Sequence, residues 1–179
     1  MASVNRVYAA RLAGMVVLGP DGESIGRVRD VVIGISIVRQ QPRVLGLVCE
    51  LLTRRRIFVP ILRVTAIEPG AVTLSTGNVS LRRFSQRPGE VLVLGQVLET
   101  RVRVDDPDLT QLEGVDVVVV DLAIEQTRTR DWMVTKVAVR PQRRLGRRSN
   151  IYAVDWQHVQ GLTPSGLAMP DQGVAQRLE

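Results

Sequence analysis

The strongest constraint on the fold of this chain is an internal repeat. Three segments of the first half recur in the second half, in the same order, without gaps and at nearly constant spacing. The paired segments are residues 12–16 with 98–102, residues 28–33 with 119–124, and residues 59–67 with 154–162. Self-similarity of this kind indicates two copies of one supersecondary unit, so we expect two modules in tandem rather than one large domain.

The residue types within each copy favour β-strands. Aromatic residues make up only 3% of the chain, so valine, leucine and isoleucine must fill the core, and branched side chains favour extended backbone. A Gly-Pro-Asp-Gly turn at 19–22 leads into a long predicted strand at 24–38, where Gly26 and Gly34 are expected to mark a bulge or a bend. Such bends let a small sheet curl, and we therefore predict an all-β fold of two small β-barrels with short helical turns.

The predicted organisation follows from the turn signals between these strands. The boundaries are a first barrel at residues 7–84, a linker at 85–93, a second barrel at 94–163 and a tail at 164–179. Helical turns are expected at 61–64, 78–84 and 156–159. The tail ends in good helix formers, from which we expect the natural protein to continue beyond Glu179 into further domains.

A run of four valines at 117–120 marks one strand of the second copy as different from the others. A continuous apolar run is typical of a strand that is buried on both faces. We therefore expect this strand to contact the other module as well, and solvent exposure of both Val118 and Val120 would contradict that. Trp132 and Trp156 are predicted to anchor the core or the domain interface.

Charge and composition limit the classes of function. The net charge is +6 and the isoelectric point is about 10.8, which permits contact with nucleic acid or an anionic membrane surface, although acidic residues are interleaved with the basic ones. A single cysteine excludes an internal disulfide. No stretch of about 18 apolar residues could cross a bilayer. These features predict a soluble, cytoplasmic polypeptide that does not insert into membranes.

We find no catalytic or metal-binding constellation. His158 is the only histidine and Cys49 the only cysteine, too few for a typical zinc site, and Cys49 lies in an apolar strand where a buried thiol is expected. An acidic loop could offer oxygen ligands to Mg²⁺ or Ca²⁺, but its spacing matches no cation-binding loop, so a solvated loop is expected. Its members are Asp105, Asp106, Asp108, Glu113 and Asp116. We expect no catalytic residue, no metal and no cofactor.

Three arginine-rich segments remain as candidates for contact with an anion or a nucleic acid. They contain Arg54, Arg55 and Arg56; Arg82, Arg83 and Arg87; and Arg143, Arg144, Arg147 and Arg148. The guanidinium fork suits phosphate groups. We find no interleaving of aromatic residues of the kind seen in single-strand binders. The chain also has no glycine-rich phosphate loop. We therefore expect these segments to be solvated loop tips.

Three motifs of the first copy resemble the PRC-barrel family. They read DGExIGRVxDV at 21–31, RVLGLV at 43–48 and FVPxxRV at 58–64. That small β-barrel occurs in the H subunit of photosynthetic reaction centres and in a ribosome maturation factor. The resemblance covers roughly residues 10–75 and extends more weakly to 95–163, where the assignment depends on the internal repeat.

Two further stretches, RRFxQRPGE at 82–90 and EQTRTRDW at 125–132, are similar to actinobacterial proteins with the same amino-terminal pair of modules. In those proteins the PRC part precedes a helical domain like the intracellular domain of the MgtE magnesium transporter, and then CBS domains. The resemblance implies a non-enzymatic interaction or regulatory module connected with magnesium transport. It supplies no catalytic residues.

Two functions from different classes therefore remain open. The first is a non-enzymatic adaptor whose partner is another protein, its own downstream domains or a second copy of itself. The alternative is a nucleic-acid- or ribosome-associated factor that uses its arginine-rich loops. An adaptor is expected to show an apolar surface patch or a homodimer interface, and binding insensitive to salt. A nucleic-acid binder is expected to show one coherent arginine face and an affinity that falls steeply with salt.

Overall fold

The structure, a computed structural model, describes residues 4–35, 41–142, 150–163 and 167. The strands of this part are β1 (Arg6–Tyr8), β2 (Val16–Leu18), β3 (Ser24–Gly34), β4 (Arg43–Leu51), β5 (Arg56–Pro60), β6 (Val64–Glu68), β7 (Ala71–Leu74), β8 (Glu90–Leu92), β9 (Arg101–Val104), β10 (Val117–Gln126), β11 (Trp132–Pro141), β12 (Tyr152–Asp155) and β13 (Val159–Gln160). Helical structure is confined to α1 (Ala9–Leu12), a π-helical turn (Val93–Val97) and 3-10 turns at Ile61–Arg63, Thr110–Leu112 and Trp156–His158. The predicted all-β class is confirmed.

The hairpin of β2 and β3 forms where the turn chemistry predicts it. Gly22 N donates to Gly19 O at 3.0 Å, and Gly22 has a φ of +82°, which a glycine adopts without strain. The register of β2 against β3 shifts beside Gly26, which confirms the predicted bulge. A side chain at Gly26 would overlap the carbonyl oxygen of Glu50 on β4, so this position requires glycine because the two backbones are so close.

The two halves repeat each other down to the irregularities of their strands. β3 has an extra, unpaired residue at Arg29, and β10 has one at Val120 in the same place along the hairpin. The partner strands match too, because β4 has an extra residue at Leu45 and β11 has one at Thr135. The internal repeat predicted from the sequence is therefore present in the register of the sheet.

One segment of the predicted alignment is shifted by a residue. Met15 N donates to Leu12 O at 3.1 Å, and in the second half Thr100 N donates to Val97 O at 3.2 Å. Leu12 therefore corresponds to Val97 and not to Leu98. The π-helical turn of the second half contains one more residue than the α-helical turn of α1, so the offset between equivalent residues of the two halves is one larger after the turn than before it.

The first strand of each half belongs to the other half. β1 pairs with β10, where Val7 lies opposite Ile124, and β8 pairs with β3, where Val91 lies opposite Ile33. The helical turn that follows each exchanged strand also packs on the opposite half. We call each exchanged strand with its helical turn an arm. Each half therefore supplies a strand and a helical turn to the other half, in contrast to the two self-contained barrels predicted from the sequence.

The described strands form one open sheet rather than two closed barrels. Its order is β13-β9-β10-β11-β4-β3-β2-β7-β6, with β1, β12, β5 and β8 attached at the side. The halves meet where Met133 of β11 lies opposite Arg43 of β4. Most buried apolar residues of the described chain form one cluster that includes Val31, Val93 and Ile124, so the two halves share a core.

Several local predictions can be compared directly with the structure. Val117, Val118 and Val119 are buried and Val120 is half-buried, so the predicted burial of this run is confirmed. Trp132 and Trp156 are buried as expected. The helical turn predicted at 78–84 is wrong, because no residue of the segment is helical and Arg83 pairs with Ile57 of β5 in an isolated bridge. The predicted linker contains β8, and residues 36–40, 143–149 and most of the predicted tail lie outside the described residues.

Candidate binding cleft

A cleft of about 450 Å³ lies between β5 and the segment 78–87, which we call the flap. β5 pairs with β4 along one edge, and the flap covers part of its other edge. Ile57 lies opposite Arg83 in an antiparallel bridge, and Phe84 N donates to Arg56 O at 2.8 Å. The rings of Phe58 and Phe84 lie 6.1 Å apart, centroid to centroid, and form an apolar wall of the cleft.

The rim of the cleft is positively charged. Arg63, Arg82, Arg83 and Arg87 line it and are exposed, and within the described chain their guanidinium groups make no hydrogen bond or ion pair. Glu90 supplies the one carboxylate of the lining, and its Oε1 accepts a hydrogen bond from the backbone N–H of Arg87 at 2.8 Å. The cleft thus has an excess of unneutralised positive charge.

A second groove of about 630 Å³ lies beside the cleft. Arg83 lines both, so the two openings adjoin one another. The groove is largely apolar, and Leu52 and Leu81 are 84% and 61% exposed although they are large hydrophobic residues. Arg54 and Arg55 stand at its border. Exposed apolar surface bordered by charged groups is typical of a site where another molecule docks.

The structure brings two of the three predicted arginine segments together. Arg54 and Arg55 lie at the groove, Arg82 and Arg87 lie at the cleft, and Arg83 lies at both. They are separated by about thirty positions along the chain, so only the pairing of the flap with β5 places them on one surface. The third segment, with Arg143, Arg144, Arg147 and Arg148, lies outside the described residues.

Some of these arginines are already engaged within the protein. Arg55 donates a hydrogen bond to the carbonyl oxygen of Leu81 at 3.1 Å and so holds the flap. Nε of Arg56 lies 3.5 Å from Oε1 of Glu50, and Nη2 of Arg29 lies 2.8 Å from Oε2 of the same carboxylate. The hydrogen bond from Arg29, with a smaller contribution from Arg56, holds the pKa of Glu50 below its usual range. Arg56 is therefore part of an exposed ion-pair network rather than of the cleft.

Sequence reasoning missed Arg63, Phe58 and Phe84. A signal was available, because the chain has only two phenylalanines and both stand within two residues of a predicted arginine. The judgement that no aromatic residue is interleaved with the arginines was wrong for this reason. Arg63 gave no comparable signal, since it belongs to the 3-10 turn after β5 and reaches the cleft only through the fold.

The other candidate residues have structural surroundings. Nδ1 of His158 lies 3.2 Å from a carboxylate oxygen of Asp106, and Asp116 pairs with Arg103 at 3.2 Å. In the part of the chain that the structure describes, no three His, Cys, Asp or Glu side chains are placed to hold a metal ion. Burial, with a smaller contribution from the charge of Glu50, raises the pKa of Cys49 to about 11.

Two carboxylates remain, of which Asp30 is buried and Asp121 is half-buried, and both hold the arms in place. Asp30 accepts hydrogen bonds from the backbone N–H groups of Val31, Leu94 and Gly95 at 2.7, 2.8 and 3.0 Å. Burial raises the pKa of Asp30 above its ordinary value, and these three hydrogen bonds act in the opposite direction. The pKa of Asp121 is raised for the same reason. Their oxygens face backbone donors, so we assign them no chemical role.

Residues 91–165 match the family model described as the actinomycetes SH3 domain. The matched stretch, less than half of the chain, begins within β8 and continues past β13, so it coincides with the second half. This likeness is to a small β-rich SH3 domain and not to the PRC-barrel that the sequence motifs resemble. No curated protein matches the chain. Among the described residues, no helix has the length and apolar character needed to span a bilayer.

Proposed function

We propose that this protein is a non-enzymatic interaction module that binds a segment of another polypeptide in its cleft and groove. The observation that carries the proposal is the surface on which the two openings adjoin at Arg83, with unpaired arginines beside the exposed Leu52 and Leu81. Exposed apolar side chains that are grouped in one groove and bordered by charged groups are typical of an interaction site, whereas single exposed apolar residues are common on any protein surface.

The composition of the cleft supports binding rather than catalysis. Its polar lining consists of arginine, serine and asparagine together with Glu90, and it contains no histidine or cysteine. Glu90 accepts a hydrogen bond from the backbone of Arg87, and the other titratable groups of the lining are all arginines. Arginine stays protonated throughout the physiological range, so it can bind an anion but does not exchange protons.

The family match favours the same class of role, because SH3-type domains typically mediate protein interactions. The resemblance of the first half to the PRC-barrel implies a similar role, and further domains of the intact chain would then be a partner in cis. A second copy of the chain is a third possible occupant. The match to the SH3 family model gives no support to a connection with magnesium transport.

Site-specific photo-cross-linking of the full chain tests the proposal. A photoreactive amino acid replaces Leu81 on the flap in one variant and Ile151 in a matched control, since both side chains are about equally exposed, at 61% and 63%. We expect a discrete polypeptide adduct at position 81 in cells that express the protein, absent at 151 and resistant to nuclease. No polypeptide adduct at 81, or the same adducts at both positions, would overturn the proposal.

A nucleic-acid-binding function is the second candidate, because Arg54 and Arg55 converge with Arg82, Arg83 and Arg87 on one surface. Fluorescence anisotropy with a labelled single-stranded RNA, over a series of salt concentrations, measures it. Release of counterions from about four phosphates would make the logarithm of affinity fall with the logarithm of salt at a slope near −3. A slope near zero, or no binding at physiological salt, argues against this candidate.

A further inference from the structure

We propose that the cleft and the groove bind an acidic peptide segment in which carboxylate side chains flank large apolar ones. This inference depends on the proposed interaction function and adds the chemistry of the partner. Neither opening has been assigned a ligand by the family match, which begins at residue 91 and so excludes the flap and β5.

The charge of the rim selects the sign of the partner. The guanidinium groups of Arg63, Arg82 and Arg87 are exposed and unpaired, and only Glu90 offsets them within the cleft. A guanidinium fork can bind a carboxylate through two parallel hydrogen bonds, which gives direction as well as affinity. A partner segment that lacks carboxylates would leave this rim without counter-charges.

The apolar surface excludes a partner that is only an anion. Phe58, Val79 and Phe84 line the cleft, and Leu52 and Leu81 line the groove, so a ligand must bring apolar side chains to cover them. A free phosphate or carboxylate ion would contact the arginines and leave this area in water. Removal of these side chains from water on binding makes the apolar contacts part of the affinity.

The phenylalanine pair argues against a single-stranded nucleic acid as the natural occupant. Bases stack on exposed aromatic faces. Phe58 and Phe84 are half-buried and pack on each other at a centroid separation of 6.1 Å with an interplanar angle of 31°, so each ring offers less free face than a fully exposed aromatic side chain. The leucines of the groove offer no stacking surface. Apolar side chains of a peptide can instead insert beside the rings and against the leucines.

The arrangement of the two openings indicates an extended ligand. The cleft and the groove lie on either side of the flap and adjoin at Arg83. Each has the volume of a typical small-molecule pocket, which is enough for one or two side chains. A peptide that fills both must cross Arg83, and carboxylates near its middle would then lie beside that guanidinium.

Binding of labelled peptides to the full chain tests the inference. The probe is a peptide of about twelve residues that alternates glutamate or aspartate with leucine or phenylalanine. One comparison peptide has the acids replaced by their amides, a second has the apolar residues replaced by serine, and a single-stranded RNA of similar length is the third. We expect the acidic apolar peptide to bind at least about tenfold more tightly than each comparison at physiological salt.

Charge-reversal variants locate the site. We expect Arg82→Glu with Arg87→Glu to weaken binding of the acidic apolar peptide at least about tenfold. The matched control is Arg101→Glu with Arg140→Glu, which makes the same change in net charge at exposed positions away from the cleft lining, and should alter binding by less than about twofold. Circular dichroism verifies that both variants remain folded.

The inference is overturned if the acidic apolar peptide does not bind, if the amide or the serine peptide binds equally well, if the RNA binds more tightly, or if the two double variants lose binding equally. Its failure is distinguishable from failure of the proposed function. If the acidic apolar peptide does not bind but the polypeptide adduct at position 81 persists, the interaction function stands with a partner of other chemistry. If the adduct is absent as well, both proposals fall.

Discussion

Asp30 and Asp121 each cap the helical turn that belongs to the other half of the chain. Oδ1 of Asp30 accepts a hydrogen bond from Leu94 N at 2.8 Å, and Oδ1 of Asp121 accepts one from Ala10 N at 3.0 Å. Each oxygen also accepts from the next residue of its own strand, at 2.7 and 2.8 Å. The two aspartates occupy the same position of the repeat, so both arms are held by equivalent hydrogen bonds.

Replacement of either aspartate should loosen one arm and destabilise the whole protein. We expect Asp30→Ala to lower the free energy of unfolding by about 2–4 kcal/mol, because partly buried N–H groups of Leu94 and Gly95 lose their acceptor. Asp121→Ala should lower it by about 1–3 kcal/mol, since only Ala10 N on the arm is left without one. Urea unfolding measures both.

A surface aspartate provides the control for these variants. Asp21 is exposed in the β2–β3 turn, and Asp21→Ala should change the free energy of unfolding by less than about 0.5 kcal/mol. If the loss for Asp30→Ala does not exceed that for Asp21→Ala, the carboxylate does not hold the arm.

The stability contributed by Asp30 should depend on pH. Because burial raises its pKa in the folded state above the ordinary 3.8, the folded protein retains the proton in a range where the unfolded chain has lost it. Stability in that range falls as pH rises. The free energy of unfolding of the wild type minus that of Asp30→Asn should therefore be most positive near pH 3.8 and below, and it should decrease at higher pH. Urea unfolding across pH measures the difference, and an increase with pH would show that the hydrogen bonds outweigh burial.

Gly26 should tolerate no side chain. A Cβ there would overlap the carbonyl oxygen of Glu50 and lie 3.0 Å from Sγ of Cys49, so Gly26→Ala must push β3 away from β4. We expect a loss of about 1–3 kcal/mol in the free energy of unfolding. Gly34→Ala is the matched control, since its Cβ would meet Leu45 at an ordinary 3.5 Å, and a loss as large as that of Gly26→Ala would contradict the argument.

Cys49 should be unreactive in the folded protein. Its side chain is fully buried in β4 and its pKa is raised to about 11, so only about one thiol in a thousand is ionised at pH 8. A thiol reagent such as DTNB should modify it fully in urea and very slowly in buffer, and the rate reports opening of the core. Rapid modification of the native protein would show that the thiol is accessible.

The exchange of arms predicts that neither half folds as a monomer. Residues 1–88 would lack β8, which pairs with β3, and residues 89–179 would lack β1, which pairs with β10. We expect each fragment alone to be unfolded or to form a dimer that exchanges arms, and an equimolar mixture to recover the β-sheet spectrum. Circular dichroism and sedimentation measure these states. A folded monomer of either fragment would contradict the shared core.

Local sequence predicted many elements of the fold. The branched residues and the Gly-Pro-Asp-Gly turn located the hairpin of β2 and β3. The repeat placed β10 and β12 by analogy with β3 and β5. The flap was missed because its polar, turn-rich residues have no periodicity, so its extended conformation is set by pairing with β5.

The sequence by itself determined the all-β class and the twofold repeat. These depend on propensity, turn chemistry and self-similarity, which are local properties or comparisons within the chain. Only the tertiary structure decided that β1 and β8 exchange halves and that Arg54 and Arg83 share one surface. The physical reason is that alternation shows which face of a strand is buried but not which strand it pairs with, and the arms join segments more than fifty residues apart.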